Sequence, residues 1–375
     1  MLTFKAGNFL FSRKYDRKKL APLLARAQAI YDSVASLPIL PEWSSRLETD
    51  ILRRSIHGTA AIEGNPLAEE RVGELLAQAS PRDLLERSER EILNLKAAYE
   101  VLTGPTGAET QALPVTEAYI RELNKKITRG LDSEEHSPGR YRDQRVKVGD
   151  KAHGGIYTPP KAKADIVRLM AEYVKWLNSA EMLAEPTELR AALAHYHLGL
   201  IHPFGDGNGR AARLLEAAIL TYSGMRYAPK MLSNFYYRNI DAYFIAFRAA
   251  ERSRSGDLTP FLEFVLSGLL QSVEELQLNV HFFICILAFQ AMADALRQSR
   301  DITQRQHDLL RILIKNPSRS VTLKDLLTDP LFAPLYRRSS EQTARRDLKR
   351  LAGLKLLAKD ETGHRLNPRG LDQQP

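Results

Sequence analysis

Within LIHPFGDGNGRAAR, residues 200–213, one histidine, one aspartate, three glycines and two arginines share fourteen positions. His202 supplies a base that is neutral near physiological pH and able to take a proton from an attacking hydroxyl. Asp206 supplies a hard carboxylate oxygen, the kind of ligand that holds Mg²⁺ against substrate phosphates. Arg210 and Arg213 stand three positions apart, so on a helix they face one ligand, and guanidinium groups suit phosphate oxygens. The combination points to phosphoryl or nucleotidyl transfer. Two other readings stay open on the residues alone. One is a capped helical turn with two surface arginines. The other is a transition-metal site drawing on His195, His197 and His202, which is weakened because residues two apart on a helix do not share a face. A dinucleotide fold is disfavoured, since the glycine turn follows a helical segment rather than a strand.

The elements on either side must position these groups. Residues 187–200, mostly apolar through AALAHYHLGL, predict a helix that ends near His202, because Pro203 cannot continue it. Gly205, Gly207 and Gly209 make the turn permissive, and RAARLLEAAILTYSG resumes a helical pattern. The second helix therefore starts with unsatisfied backbone N–H groups, which attract phosphate. Elsewhere, residues 16–50 read as a helix followed by a Pro-broken loop at PILPEWS. SPRDLLERSEREILNLKAAYEVL predicts a helix from Ser80. VTEAYIRELNKKITRGL and KADIVRLMAEYVKWLN predict two more, and SIHGTAAIEGNPLAEERV is expected to begin another. Between them, EEHSPGRYRDQRVKVGDKAHGGIYTPP fits an irregular loop carrying a small hairpin.

At 375 residues and 44% hydrophobic, the chain is expected to be globular, with two or three domains. No uninterrupted apolar run reaches the length of a membrane span, and no membrane partner is expected. MLTFKAGNFLFSRKYDRKKL turns charged too early for a secretory signal and reads as a surface arm leading into a helix. Cys285, the one cysteine, reads as a small buried apolar group in HFFICILAFQ, and one thiol forms no internal disulfide. A cytoplasmic location is expected. The net charge of +9 permits attraction to nucleic acid or to an acidic protein.

HPFGDGNGRAAR resembles the signature of the Fic family, the protein AMP-transferases, throughout its length. The resemblance implies that His202 is the general base for a Ser, Thr or Tyr hydroxyl of a target protein, and that Asp206 ligates Mg²⁺. It implies that Gly207, Asn208 and Gly209 cradle phosphate, while Arg210 and Arg213 contact the ATP phosphate tail. AMP would then be transferred and pyrophosphate released. The segment LSNFYYRNIDAYFIAFRAAERSRSGDLTPFLEFVLSGL is similar to the family's region after the motif, which implies ATP contacts for Asn239 and Tyr243. Upstream, His153, Gly154, Gly155, Ile156 and Tyr157 lie in a stretch that resembles the flap, whose backbone holds a target segment by strand addition. Thr59, Glu63 and Gly64 match the pattern of the family's inhibitory helix. By that resemblance Glu63 reaches Arg213 and misplaces ATP, and removal of AMP from a modified target is the alternative activity. The likeness runs over roughly residues 50–268.

Past this region, SSEQTARRDLKRLAGLKLLAKDETGHRLNPRG resembles a winged helix-turn-helix domain. Ser340 caps a helix through Leu351, the stretch from Thr343 to Arg350 is recognition-like, and residues 361–364 form the wing tip. Arg337, Arg338, Arg345, Arg346, Lys349 and Arg350 are candidates for DNA phosphates, although Glu341 and Asp347 share the segment. The expected fold is mainly α: a Fic-type helical catalytic core with a small β-hairpin flap, plus the winged helix-turn-helix domain. The expected division is an N-terminal helical region (1–95, with the inhibitory helix near 55–64), the catalytic core (96–268), a helical linker (269–300) and the winged-helix domain (301–375). The expected activity is that of a Mg-dependent protein adenylyltransferase restrained by Glu63. Its expected partners are ATP, a hydroxyl-bearing protein target, the chain itself as a self-modification target, and a second copy in a homodimer. The competing reading is a DNA-binding regulator with a nucleotide-responsive Fic module.

Overall fold

The computed structural model describes residues 2–4, 7–37, 39–78, 86–102, 112–133, 136–149, 152, 155–317 and 319–368. The chain divides into two compact units, residues 1–277 and 278–375. The first unit opens with a short antiparallel hairpin, β1 (Leu2–Phe4) and β2 (Gly7–Phe9). Helices α1 (Arg17–Ala35), α2 (Pro41–Ile62), α3 (Glu69–Ala77), α4 (Arg87–Glu100) and α5 (Glu117–Ile127) follow. Then come α6 (Lys163–Leu177), α7 (Ala180–Leu183), α8 (Thr187–Ile201), α9 (Asn208–Tyr222), α10 (Ala228–Arg238) and α11 (Ile240–Glu251). The division at residues 277 and 278 falls inside α12 (Thr259–Gln298), within the stretch expected as a linker.

α8 and α9 form the centre. Thirteen residues of α8 are buried, and the helix is apolar nearly all round, which suits a helix enclosed by others. α9 buries twelve, including Arg210, Arg213 and Glu216. α2 packs closely on α10: a Cβ on Gly58 would lie 2.9 Å from the Ser233 carbonyl oxygen.

Several local expectations are corrected. PEWS is the first turn of α2 rather than loop, because Pro41 sits at the start of the helix, where its missing N–H costs nothing. SIHGTAAIEG therefore ends a helix of 22 residues instead of beginning one. The helix expected from Ser80 runs from Arg87; residues 79–85 lie outside the described residues. The N-terminal stretch is more than a surface arm. Phe9 is buried, Phe11 stacks on Trp176 at 5.5 Å, and the Ser12 carbonyl accepts from His197 Nε2 at 2.8 Å. Cys285 is only half-buried, with its sulfur 3.7 Å from His281 Nδ1. Although interrupted by polar residues, α12 contains a window of mean hydropathy 1.6, enough by length and composition to cross a membrane. A core helix meets the same test, and 28% of this window is buried.

The second unit contains the rest of α12, α13 (Gln304–Lys315), α14 (Leu323–Thr328), α15 (Ala333–Tyr336) and α16 (Glu341–Gly353), then β3 (Leu357–Asp360) and β4 (Gly363–Leu366). β3 and β4 pair antiparallel with Leu357 opposite Leu366, and Val321 bridges to His364 beside them. Capping boxes at Thr303 and Thr322 and the Ser340 side chain start α13, α14 and α16. Leu309, Leu313, Leu326, Phe332, Leu348 and Leu357 fill this unit's own core.

Candidate active site

His202 closes α8 in a left-handed conformation, φ 49° and ψ 58°, which few non-glycine residues adopt. The strain is held by a second chain segment. Arg142 Nε donates to the His202 carbonyl at 2.7 Å, and its Nη1 and Nη2 donate to the carbonyls of Gln144 and Pro160. The Arg142 backbone N–H donates to the Pro203 carbonyl, and Tyr141 bridges to Phe204. Arg142 is buried among carbonyls, and burial lowers its pKa, with Tyr157 opposing. The His202 ring is largely enclosed, and burial pushes its pKa down to about 4 against the opposing pull of Glu63. Its Nδ1 lies 3.3 Å from the Gly199 carbonyl oxygen, which can only accept. The ring proton therefore belongs on Nδ1, leaving Nε2 as the basic nitrogen.

The turn after His202 is closed by its own side chains. Asn208 accepts from the Phe204 N–H at 2.9 Å and donates to the Phe204 carbonyl at 2.8 Å. Asn124 donates to the Asp206 carbonyl and accepts from Gly139 N–H, which fixes the turn to α5. Gly207 has φ 77°, and a Cβ on it would press within 2.8 Å of Thr128. Gly207 caps α9 without a side-chain hydrogen bond, so the first N–H groups of the helix receive no acceptor from the cap residue. The Asn208 side chain thus shapes the turn, and any phosphate cradle is made of backbone.

Asp206 has its Oδ1 engaged by the Gly207 N–H at 2.5 Å and by Arg210 Nη2 at 2.7 Å. Its Oδ2 takes a longer contact, 3.2 Å, from the exposed Arg87. Burial acts to raise the Asp206 pKa, but Arg210, the Gly207 N–H and His136 outweigh it and hold the carboxyl below its usual range. A half-exposed, ionised carboxylate beside an uncapped helix start fits Mg²⁺, which takes one or two carboxylates and completes its shell with water and phosphate. Arg210 is buried, and its Nε has no partner among the described residues, a donor that an anion oxygen would satisfy.

Arg213 is 2% exposed and is met by the end of α2. Its Nε donates to Thr59 Oγ1 at 2.7 Å, and its Nη2 donates to the Thr59 carbonyl and to Glu63 Oε1, the latter at 2.7 Å. α2 ends in a Schellman arrangement. The Gly64 N–H bonds the Ala61 carbonyl, the Asn65 N–H bonds the Ala60 carbonyl, and Gly64 takes φ 87°. That turn leaves Glu63 at the helix end, where a carboxylate is unfavourable to the helix dipole. Arg213 and Arg210 nevertheless hold its pKa below the ordinary value against burial. Gly209 makes this approach possible, since a Cβ there would collide with Glu63 Oε1.

The remaining expected residues are more dispersed. Asn239 lies at the junction of α10 and α11, and its amide donates to the Phe235 carbonyl. Tyr243, expected to contact ATP, has a buried ring whose hydroxyl lies 2.9 Å from His195 Nε2. In the segment expected as the flap, Val148 and Tyr157 exchange two backbone hydrogen bonds, Ile156 is 49% exposed, and Gly155 takes φ 95°. The Tyr157 hydroxyl donates to the Leu200 carbonyl, which ties this segment to α8. His153 and Gly154 lie outside the described residues. Sequence reasoning passed over Arg142, Asn124 and Arg87. Only Arg142 left a signal, as one of several basic residues in GRYRDQR.

Together these groups define an anion-handling site at a helix junction in a mainly helical domain. Residues 114–220 match the Fic/DOC family, and the chain carries a Fic domain. It is 29% identical over 256 residues to protein adenylyltransferase Fic of Drosophila ananassae, covering 67% of this chain and 46% of that protein. It is 31% identical over 222 residues to protein adenylyltransferase fic-1 of Caenorhabditis briggsae, covering 58% and 40%. The chain spans about half the length of the curated relatives it matches. The fold is shared with a Fic family protein from Desulfovibrio desulfuricans G20, at 23% identity, a TM-score of 0.56, and 93% and 95% coverage of the two chains. A Fic-1 structure from C. elegans is similar at 25% identity and a TM-score of 0.53, over 68% of this chain and 71% of that one.

Proposed function

We propose that the chain transfers AMP from ATP to a Ser, Thr or Tyr hydroxyl of a protein, itself included, and that Glu63 restrains the transfer. The observation that carries this reading is the neutral Nε2 of His202 beside the uncapped start of α9, with Arg213 tied to Glu63 a turn further on. The geometry supports a phosphate-bearing substrate; the names of the relatives favour AMP as the transferred group. The backbone N–H groups of α9 and the orphaned Arg210 Nε receive phosphate oxygens. Asp206 would hold Mg²⁺, which supplies charge neutralisation of the phosphates when bound. His202 Nε2 accepts the proton of the target hydroxyl as its oxygen bonds the α-phosphorus, and the bond to the β-phosphate oxygen breaks to release pyrophosphate. Glu63 occupies the Arg213 donor that would otherwise serve the distal phosphate.

Incubation with Mg²⁺ and α-labelled ATP tests both parts. Glu63→Gly is expected to raise protein-bound label at least tenfold over the unsubstituted chain, and adding His202→Ala should abolish it. No gain from Glu63→Gly would sink the restraint, and label arriving from γ-labelled ATP instead would sink AMP as the transferred group.

A second reading, DNA binding, is favoured by the charge of the second unit. Residues 278–375 hold seventeen Lys and Arg against ten Asp and Glu, most of the chain's excess. Asp347, the acid within the basic run of α16, is turned inward to Arg305 and Gln306 at 2.7 and 2.8 Å. The outer side is left to Arg345, Arg346, Lys349 and Arg350.

A further inference from the structure

Four successive helices each contribute one polar side chain to a sealed cluster behind the phosphate-side arginine. They are His195 from α8, Glu216 from α9, Tyr236 from α10 and Tyr243 from α11, all 5% exposed or less. We infer that Glu216, His195 and Tyr243 form a one-directional hydrogen-bond relay that positions Arg213 for the distal phosphate once Glu63 withdraws. The inference rests on the nucleotide-transfer reading above.

The direction follows from what each atom can do. Glu216 accepts from the Tyr236 hydroxyl, 3.0 Å from both carboxylate oxygens, and its Oε2 lies 3.1 Å from His195 Nδ1. A carboxylate can only accept, so Nδ1 carries a ring proton, and in the relay Nε2 is the bare nitrogen. His195 Nε2 then accepts from the Tyr243 hydroxyl at 2.9 Å. With its proton committed there, the Tyr243 oxygen keeps its lone pairs free, and the Arg213 guanidinium is near enough to act on the phenol. Tyr236 stacks on Tyr243 at 5.2 Å and 18°, which keeps the phenol from swinging.

Such a relay answers a specific electrostatic need. Arg213 is a buried cation whose direct charged partner is Glu63, the Thr59 acceptors being neutral. Withdrawing Glu63 leaves a buried guanidinium with no adjacent carboxylate, a costly state. Glu216, one helical turn along α9, stays in place, and the relay brings its charge to bear through His195 and Tyr243. These three are positioning residues; within this group only Arg213 touches the nucleotide.

The test uses the full chain carrying Glu63→Gly and compares ATP with AMP by calorimetry. Tyr243→Phe and Glu216→Gln should each weaken ATP binding about tenfold and leave AMP binding within twofold, because Arg213 serves the distal phosphate. A cluster that merely stabilises the fold would weaken both nucleotides alike or neither, and either result overturns the relay. If the Glu63→Gly parent binds no ATP, the nucleotide reading falls and takes the relay with it. A second measurement needs no substitution. Nitrogen NMR of His195 should show a proton on Nδ1 and none on Nε2, whereas a proton on Nε2 overturns the direction.

Discussion

His202 combines two properties that ordinarily conflict, a strained backbone and a ring ready to accept a proton. Its enclosure pushes the imidazole down to about 4, so the neutral form persists through the physiological range. A solvent-exposed histidine would instead be partly protonated near pH 6.5. NMR titration of the His202 ring in the ligand-free protein should therefore give a midpoint near 4. Glu63 is an anion that favours the imidazolium, so Glu63→Gly should shift the midpoint lower still. A midpoint above 6 in the unsubstituted protein would remove the buried neutral base. The contact between Glu63 and Arg213 has the same residue-level economy. Thr59 and Glu63, one turn apart, present a hydroxyl, a carbonyl and a carboxylate to one guanidinium.

The junction of α8 and α9 was legible as an element because its signals are local. Pro203 ends one helix, glycines permit the turn, and Arg210 and Arg213 follow at helical spacing. α2 was misread for an equally local reason. Gly64 is a helix-stop signal at the C′ position, yet the glutamate motif beside it points the boundary the other way, and Pro41 by its type alone reads as a loop residue. The His195 cluster was out of reach, because its members are brought together by four helices and no spacing announces them. Arg142 was hidden in an irregular segment, where basic residues usually read as solvated. Its three side-chain bonds reach the carbonyls of Gln144, Pro160 and the strained His202. Arg142→Ala would leave those carbonyls short of donors and cost on the order of 3 kcal/mol. We expect a lower thermal midpoint, and in the Glu63→Gly background at least a tenfold loss of label transfer, with partial recovery in Arg142→Lys. Unchanged transfer in Arg142→Ala would show that the His202 turn holds without its clamp.

At the scale of the molecule, the two units differ in charge as well as in fold. The first is close to neutral for its size, whereas residues 278–375 carry the excess of Lys and Arg. On α16 the arrangement is directional: Asp347 is 3% exposed and paired inward, and Glu341 is held by Arg345 at 2.9 Å, so Arg346 and Lys349 face solvent without an acidic partner among the described residues. A face of this kind binds duplex DNA chiefly through phosphates, and displaced counterions make the affinity salt-dependent. If about four of these cations contact phosphate, the logarithm of the association constant should fall with the logarithm of salt concentration at a slope of about −3.6. Replacing Arg346 and Lys349 by Ala together should reduce that slope by about two and weaken binding across all sequences. Fluorescence anisotropy of the full chain with a labelled duplex, from 50 mM salt upward, provides the measurement. Absence of binding at the lowest salt would exclude the DNA reading, while a slope unchanged by the double substitution would place the contact on another face.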